Sequence, residues 1–187
     1  MSPVLPASRP LRALDEAALR DRFESALAAR DGVGAAHCVH EWWMRGAFPA
    51  FIEDALQRLW DCAADSVPDW MPMRYVGWLP VAYEVAGRFQ AEGRGRFHLY
   101  LVLLDYSDSR PEPYGLYVGV SRYRPAERFD QHKAGIRAAG SVLKRGLEVL
   151  TGPVLHLQSV PRAEAARIEE QLAEALRAAG LFVKGGH

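Results

Sequence analysis

With 187 residues, 49% of them apolar, the chain has room for one ordinary domain, or a compact domain with a sizeable extension, and enough apolar surface to build a core. A formal net charge of zero argues against a strongly cationic nucleic-acid binder, and two cysteines with no CxxC argue against a disulfide-rich secreted domain. No stretch approaches the roughly 20 apolar residues of a membrane span, and MSPVLPASRPLR lacks the basic start and apolar run of a signal peptide, so a cytoplasmic protein with no membrane partner is the expectation.

The zero sum conceals an asymmetry. Residues 1–93 hold nine Lys and Arg against thirteen Asp and Glu, while residues 94–187 hold fourteen against ten. An acidic half ahead of a basic half suggests two functional parts. Residues 1–10, with three prolines, read as a flexible arm. From Leu14 to Arg30 apolar residues recur at helical spacing, acids Asp15 and Glu16 sit in the first turn, and Gly32 lies just past the end. A second helix is expected from Pro49 to Cys62, with Phe51, Ile52, Leu56, Leu59 and Trp60 on its apolar face. Between them, His37, Cys38, His40 and Glu41 match no metal-site spacing and read as packing residues beside Trp42 and Trp43. Ser66 to Pro80 reads as a connector, Pro80 to Gln90 as a short helix, and AEGRGR, residues 91–96, as the hinge into the second half.

Phe97 to Asp105 is a near-continuous apolar run of strand length, suited to burial on both faces. Tyr106 to Pro113 is a polar loop, and Tyr114 to Ser121 is a second strand completing a hairpin. Pro125 opens a helix that Gly135 closes, Ser141 to Gly146 reads as a helical turn, and Val154 to Val160 alternates as a third strand. The longest helix runs from Pro161 to Ala179, followed by a last short strand over residues 181–184. The fold class is therefore α/β (α+β): a small, mostly antiparallel three-stranded sheet flanked by helices over 94–187, preceded by an α-helical region over 11–93.

Two polar constellations stand out. Arg128 and His132, four apart, share one face of the helix after Pro125, with Tyr117 on the strand before it. Spacing alone also describes a solvated arginine and a surface histidine, and it favours that plainer reading. The last helix is more telling. At 100° per residue from Ala165, the apolar residues Ile168, Leu172, Leu176 and Ala179 fall in an arc from about −60° to +20°. Glu169 lies at about +40°, on the edge of that face, whereas Glu170 and Glu174 point outward. A carboxylate near a core must find a partner, change protonation state or bind a metal.

Taken in order, these residues resemble the GIY-YIG nuclease superfamily. His98-Leu99-Tyr100 stands where its first motif belongs, Tyr117-Val118-Gly119 resembles the second, RFDQHKAG is similar to its Arg-and-His helix, and EAARIEEQL aligns Glu169 with its metal-binding glutamate. Two positions depart: His98 replaces the first glycine, and the asparagine that many members carry near the end is not evident. The resemblance covers residues 97–187. It implies a divalent-metal-dependent endonuclease acting on nucleic acid, with DNA favoured over RNA, and one Mg²⁺ or Mn²⁺ ion held by Glu169. Tyr100, Tyr117, Arg128, His132 and Glu169 would be the catalytic set, with Arg128 on phosphate and Tyr117 or His132 on the attacking water. Lys133, Lys144 and Arg145 would bind backbone phosphates. The alternative is a GIY-YIG-like module that binds nucleic acid without cutting it, regulated by its acidic helical half.

Overall fold

A computed structural model describes residues 4–186 of the chain. They divide into two compact units, Met1–Pro80 and Val81–His187. The division falls ahead of the AEGRGR run because residues 81–90 are tied into the second unit. The helix Leu79–Ala86 ends where Nε2 of His156 meets the carbonyls of Ala86 and Phe89, both at 3.1 Å.

The first unit is helical. Helix α1 (Glu16–Ala28) is capped by Asp15, whose carboxylate accepts the Ala18 N–H at 2.8 Å. Helix α2 (Gly32–Met44) is not announced by the sequence, where Gly32 reads as the end of the preceding helix. Asp31 overrides that signal by capping the Gly34 N–H at 2.9 Å, and a side chain at Gly32 would run into Ser66. Helix α3 (Pro49–Ala63) lies close to its expected bounds and buries Ile52, Leu56 and Leu59, while Trp60, expected on the same face, is 49% exposed.

One carboxylate organises this unit. Glu41, with only 2% of its side chain exposed, receives Nε and Nη2 of Arg9 at 3.0 and 2.6 Å and Nε of Arg45 at 2.7 Å. Arg45 also donates to the Leu14 carbonyl at 2.7 Å, so helix α2 grips the chain ahead of α1. The stretch expected as a flexible arm is thus held at Arg9, where the backbone turns through φ +47°, while its first three residues lie outside the described ones. His37 rests against Trp70, ring centroids 4.8 Å apart.

The second unit carries the sheet. Strands β1 (His98–Asp105) and β2 (Tyr114–Ser121) form the expected antiparallel hairpin, with Tyr100 opposite Gly119 and Val102 opposite Tyr117. Two expectations are corrected. The third strand is β3 (Gly146–Val149), antiparallel to β1, and not Val154–Val160. In that stretch Gly152–Leu157 forms a 3₁₀ turn, and only Val160 bridges, to Phe97. The amide of Gln158 donates to the Leu99 and Val154 carbonyls at 2.8 Å each, a side-chain substitute for ladder bonds. The sheet is also four-stranded and mixed rather than three-stranded, since β4 (Val183–Gly185) pairs parallel to β2, giving the order β3-β1-β2-β4 among the described residues.

Strand alternation sorts the two faces. Tyr100, Val102, Leu104 and Tyr106 join Tyr117, Phe129, Val142 and Ala139 on one face, beneath helices α5 (Pro125–Lys133) and α6 (Gly140–Arg145). Leu99, Leu101, Leu103, Leu116 and Val118 are buried on the other, where the apolar stripe of α7 (Arg162–Ala178) packs on β2 and β1. Here α4 denotes Leu79–Ala86. No helix among the described residues is long and apolar enough to cross a membrane.

The Glu41 knot can be tested directly. Glu41→Gln keeps the shape but loses the charge-assisted bonds, and should cost about 1.5–3 kcal/mol in equilibrium urea unfolding.

Candidate active site

The β hairpin and α5 bring four of the expected residues together. Ring centroids of Tyr100, Tyr117 and His132 lie 5.9–6.0 Å apart pairwise. Gly119 makes this possible. A Cβ there would stand 2.5 Å from Cζ of Tyr100 and 2.7 Å from the Tyr117 ring, so only a glycine lets both rings lie over that point of β2.

His132 is not the surface residue that spacing favours, being only 1% exposed. Its Nδ1 accepts the main-chain N–H of Ala139 at 2.9 Å, and its Nε2 lies 2.8 Å from the Tyr100 hydroxyl. Burial first, and the charge of Arg128 second, push its pKa down to about 4, so the ring is neutral at physiological pH. A neutral imidazole that accepts at Nδ1 carries its proton on Nε2, which therefore donates to the Tyr100 oxygen. The Tyr100 hydroxyl is left to donate onward to Tyr117. Burial raises the pKa of both phenols, and the hydrogen bond from Tyr100 lowers that of Tyr117. The result is a directed chain from the Ala139 N–H through His132 to Tyr100, with the Tyr117 phenol beside it.

Arg128 supplies the positive charge felt by His132, Tyr100 and Tyr117. Its N–H groups also engage α5 and the loop after it: Nη1 donates to Gln131 Oε1 on the helix and to the Ile136 carbonyl at 3.1 Å each, and Nη2 to the Arg137 carbonyl at 2.8 Å. Arg137 adopts φ +46° there.

Glu169 reaches the group from the other side of β2. The Leu116 N–H donates to the Phe182 carbonyl, so alternate N–H groups of β2 point toward β4. Strand β4 ends at Gly185, opposite Val118, and the N–H of Val120 points past its end. The Glu169 carboxyl lies on that side, near enough for the Val120 N–H to pull its pKa down and for its own charge to raise that of Tyr117. Glu169 is half-buried and Glu170 exposed, as the helical arc predicts. Burial pushes the Glu169 carboxyl up to about 7, with the Val120 N–H pulling the other way. No Lys or Arg among the described residues forms an ion pair with it.

The three basic residues expected to bind phosphate lie elsewhere. Lys133, Lys144 and Arg145 line a groove of about 440 Å³ together with Asp105 and Asp108. Lys133 donates to the Leu143 and Gly146 carbonyls, and Arg145 forks onto Asp108 at 2.7 and 3.1 Å while lying over the Tyr106 ring. Asp105 is five residues from Tyr100, roughly 16 Å along β1. His98 is engaged elsewhere, its Nδ1 3.1 Å from Gln158 Oε1. Sequence reasoning missed the Ala139 and Val120 N–H groups, which no side-chain pattern announces. Compared with known proteins, the sequence matches no family model, and no curated protein and no solved structure matches it.

The raised Glu169 has a testable signature. Folding lifts this acid above its ordinary 4.5, so the protein loses stability as pH rises from 4.5 through about 7. Glu169→Gln removes that loss: its melting temperature should gain on the wild type between about pH 5 and pH 8, in thermal scans with chelator present.

Proposed function

We propose that the second unit is a GIY-YIG-type endonuclease that hydrolyses phosphodiester bonds in nucleic acid, with DNA favoured over RNA. The observation that carries this reading is the packed cluster of Tyr100, Tyr117 and His132, within the charge of Arg128, with the Glu169 carboxyl close enough to raise the Tyr117 pKa. A half-buried carboxyl with a raised pKa and no cationic side-chain partner among the described residues is the kind of ligand a hard divalent ion satisfies. Mg²⁺ or Mn²⁺ held by Glu169 and waters would supply Lewis-acid stabilisation of the charge at phosphorus and on the leaving oxygen.

The remaining roles belong to the chain. Tyr117 orients the attacking water. Its pKa is raised, so the resting group is the phenol, while Tyr100 and Arg128 favour its anionic form. Tyr100 and His132 are positioning residues: both nitrogens of the buried imidazole are engaged, which removes His132 as the general base left open by the sequence. Arg128 acts on the phosphate through its field, with two of its nitrogens committed to loop carbonyls.

That commitment of Arg128 favours a second reading, a module that grips nucleic acid without cutting it. Cleavage assays separate the two. Glu169→Gln should abolish metal-dependent cleavage of plasmid or structured DNA while leaving the circular dichroism spectrum unchanged, and exposed Glu170→Gln should cut like the wild type. Mn²⁺ at about pH 8 should raise the melting temperature of the wild type and not of Glu169→Gln. Salt-sensitive binding with no cleavage by the wild type would select the binding module.

A further inference from the structure

The loop from β2 to α5 places Arg122, Tyr123 and Arg124 in a row, all exposed, Tyr123 by 49%. Among the described residues none of the three side chains has a hydrogen bond, ion pair or ring contact. The backbone beneath them is nonetheless fixed. The Ser121 hydroxyl accepts the Tyr123 N–H at 3.0 Å, and the Arg124 carbonyl accepts the Arg128 N–H at 2.9 Å. A large aromatic ring is thus held out to solvent between two unpaired cations on an anchored loop.

Both ends of the loop are rooted in the site. Val120, whose N–H lies near the Glu169 carboxyl, precedes it, and Arg128 and His132 follow it on α5. Guanidinium groups bracketing a phenol match a strand in which phosphates flank a flat base. Inside a duplex both faces of a base are already stacked, so a protruding ring finds an open face only on an unpaired or splayed base. We infer that Arg122, Tyr123 and Arg124 hold the substrate at the Tyr117–Glu169 site, with Tyr123 stacked on an unpaired base beside the scissile phosphate and the two arginines on its flanking phosphates. The inference rests on the nuclease reading and adds a substrate class to it: nucleic acid that is single-stranded or locally opened where it is cut.

The test uses the full chain with chelator present, measuring anisotropy of a labelled single-stranded oligonucleotide and of its blunt duplex over a salt series, with cleavage of the same strands in Mn²⁺ assayed separately. Tyr123→Ala should weaken single-strand binding about tenfold, Tyr123→Phe should restore it, and duplex binding should change little in either variant. Arg122→Ala combined with Arg124→Ala should lower the single-strand salt slope by about 1.4. If the wild type binds and cuts but Tyr123→Ala binds single strands equally well, the loop assignment is wrong and the nuclease reading survives. Equal losses on single strand and duplex, or no rescue by phenylalanine, overturn stacking. Binding to anionic phospholipid vesicles through these residues, with no binding to either oligonucleotide, overturns the nucleic-acid assignment. A wild type that neither binds nor cuts any strand removes the nuclease reading itself.

Discussion

The imidazole of His132 is the pin on which the second unit's site depends. A single main-chain N–H, that of Ala139, fixes which ring nitrogen carries the proton, and that choice sets the direction of every hydrogen bond beyond it. Tyr100 becomes an acceptor from the ring, and its own proton is left for the neighbouring Tyr117. The buried ring cannot titrate in the physiological range without leaving this arrangement, because burial and Arg128 both oppose its charged form. Gly119 is the steric counterpart of the pin. It removes the one side chain that would keep the two phenols apart.

Around this fixed cluster, the sheet leaves a deliberate gap. Unpaired strand edges are liabilities that folds cover or blunt. Here β4 covers β2 only as far as Val118, and a carboxyl from α7 lies near the next outward N–H. Ordering Glu169 this way is costly, because one N–H does not repay the desolvation of a carboxylate. The protein thus holds an acid whose charged form is poorly compensated by its surroundings, near a phenol that itself lies within the field of Arg128. That imbalance is what a bound cation would relieve, and it ties the stability of the fold to the proposed chemistry.

Much of this site was legible in the sequence because periodicity reports burial. Turning α7 at 100° per residue separates Glu169 from Glu170, and the strand, turn and helix from Tyr114 to Gly135 bring Tyr117, Arg128 and His132 into one neighbourhood. What escaped was set by contacts that periodicity does not encode. Helix α2 hides behind Gly32 and Gly34, since a capping aspartate and a close approach to Ser66 outweigh glycine's poor helix propensity. The stretch from Val154 to Val160 alternates like a strand, yet Gln158 takes over the hydrogen bonds a ladder would make. Lys133 and Arg145 look like phosphate ligands by charge alone, but local carbonyls and Asp108 already occupy them. Arg122, Tyr123 and Arg124 show the reverse. Their composition is plain in the sequence, but that the loop stays uncommitted is visible only once its surroundings are in place.

The most direct measurement is Mn²⁺ relaxation of backbone amide and tyrosine ring NMR signals in the full chain. A cation held by Glu169 should selectively broaden the Val120 amide and the Tyr117 ring, spare the amides flanking Lys144, and lose both effects in Glu169→Gln. Broadening centred on the Asp105–Asp108 groove, or broadening at Val120 that persists in Glu169→Gln, would contradict a metal site at the open end of β2.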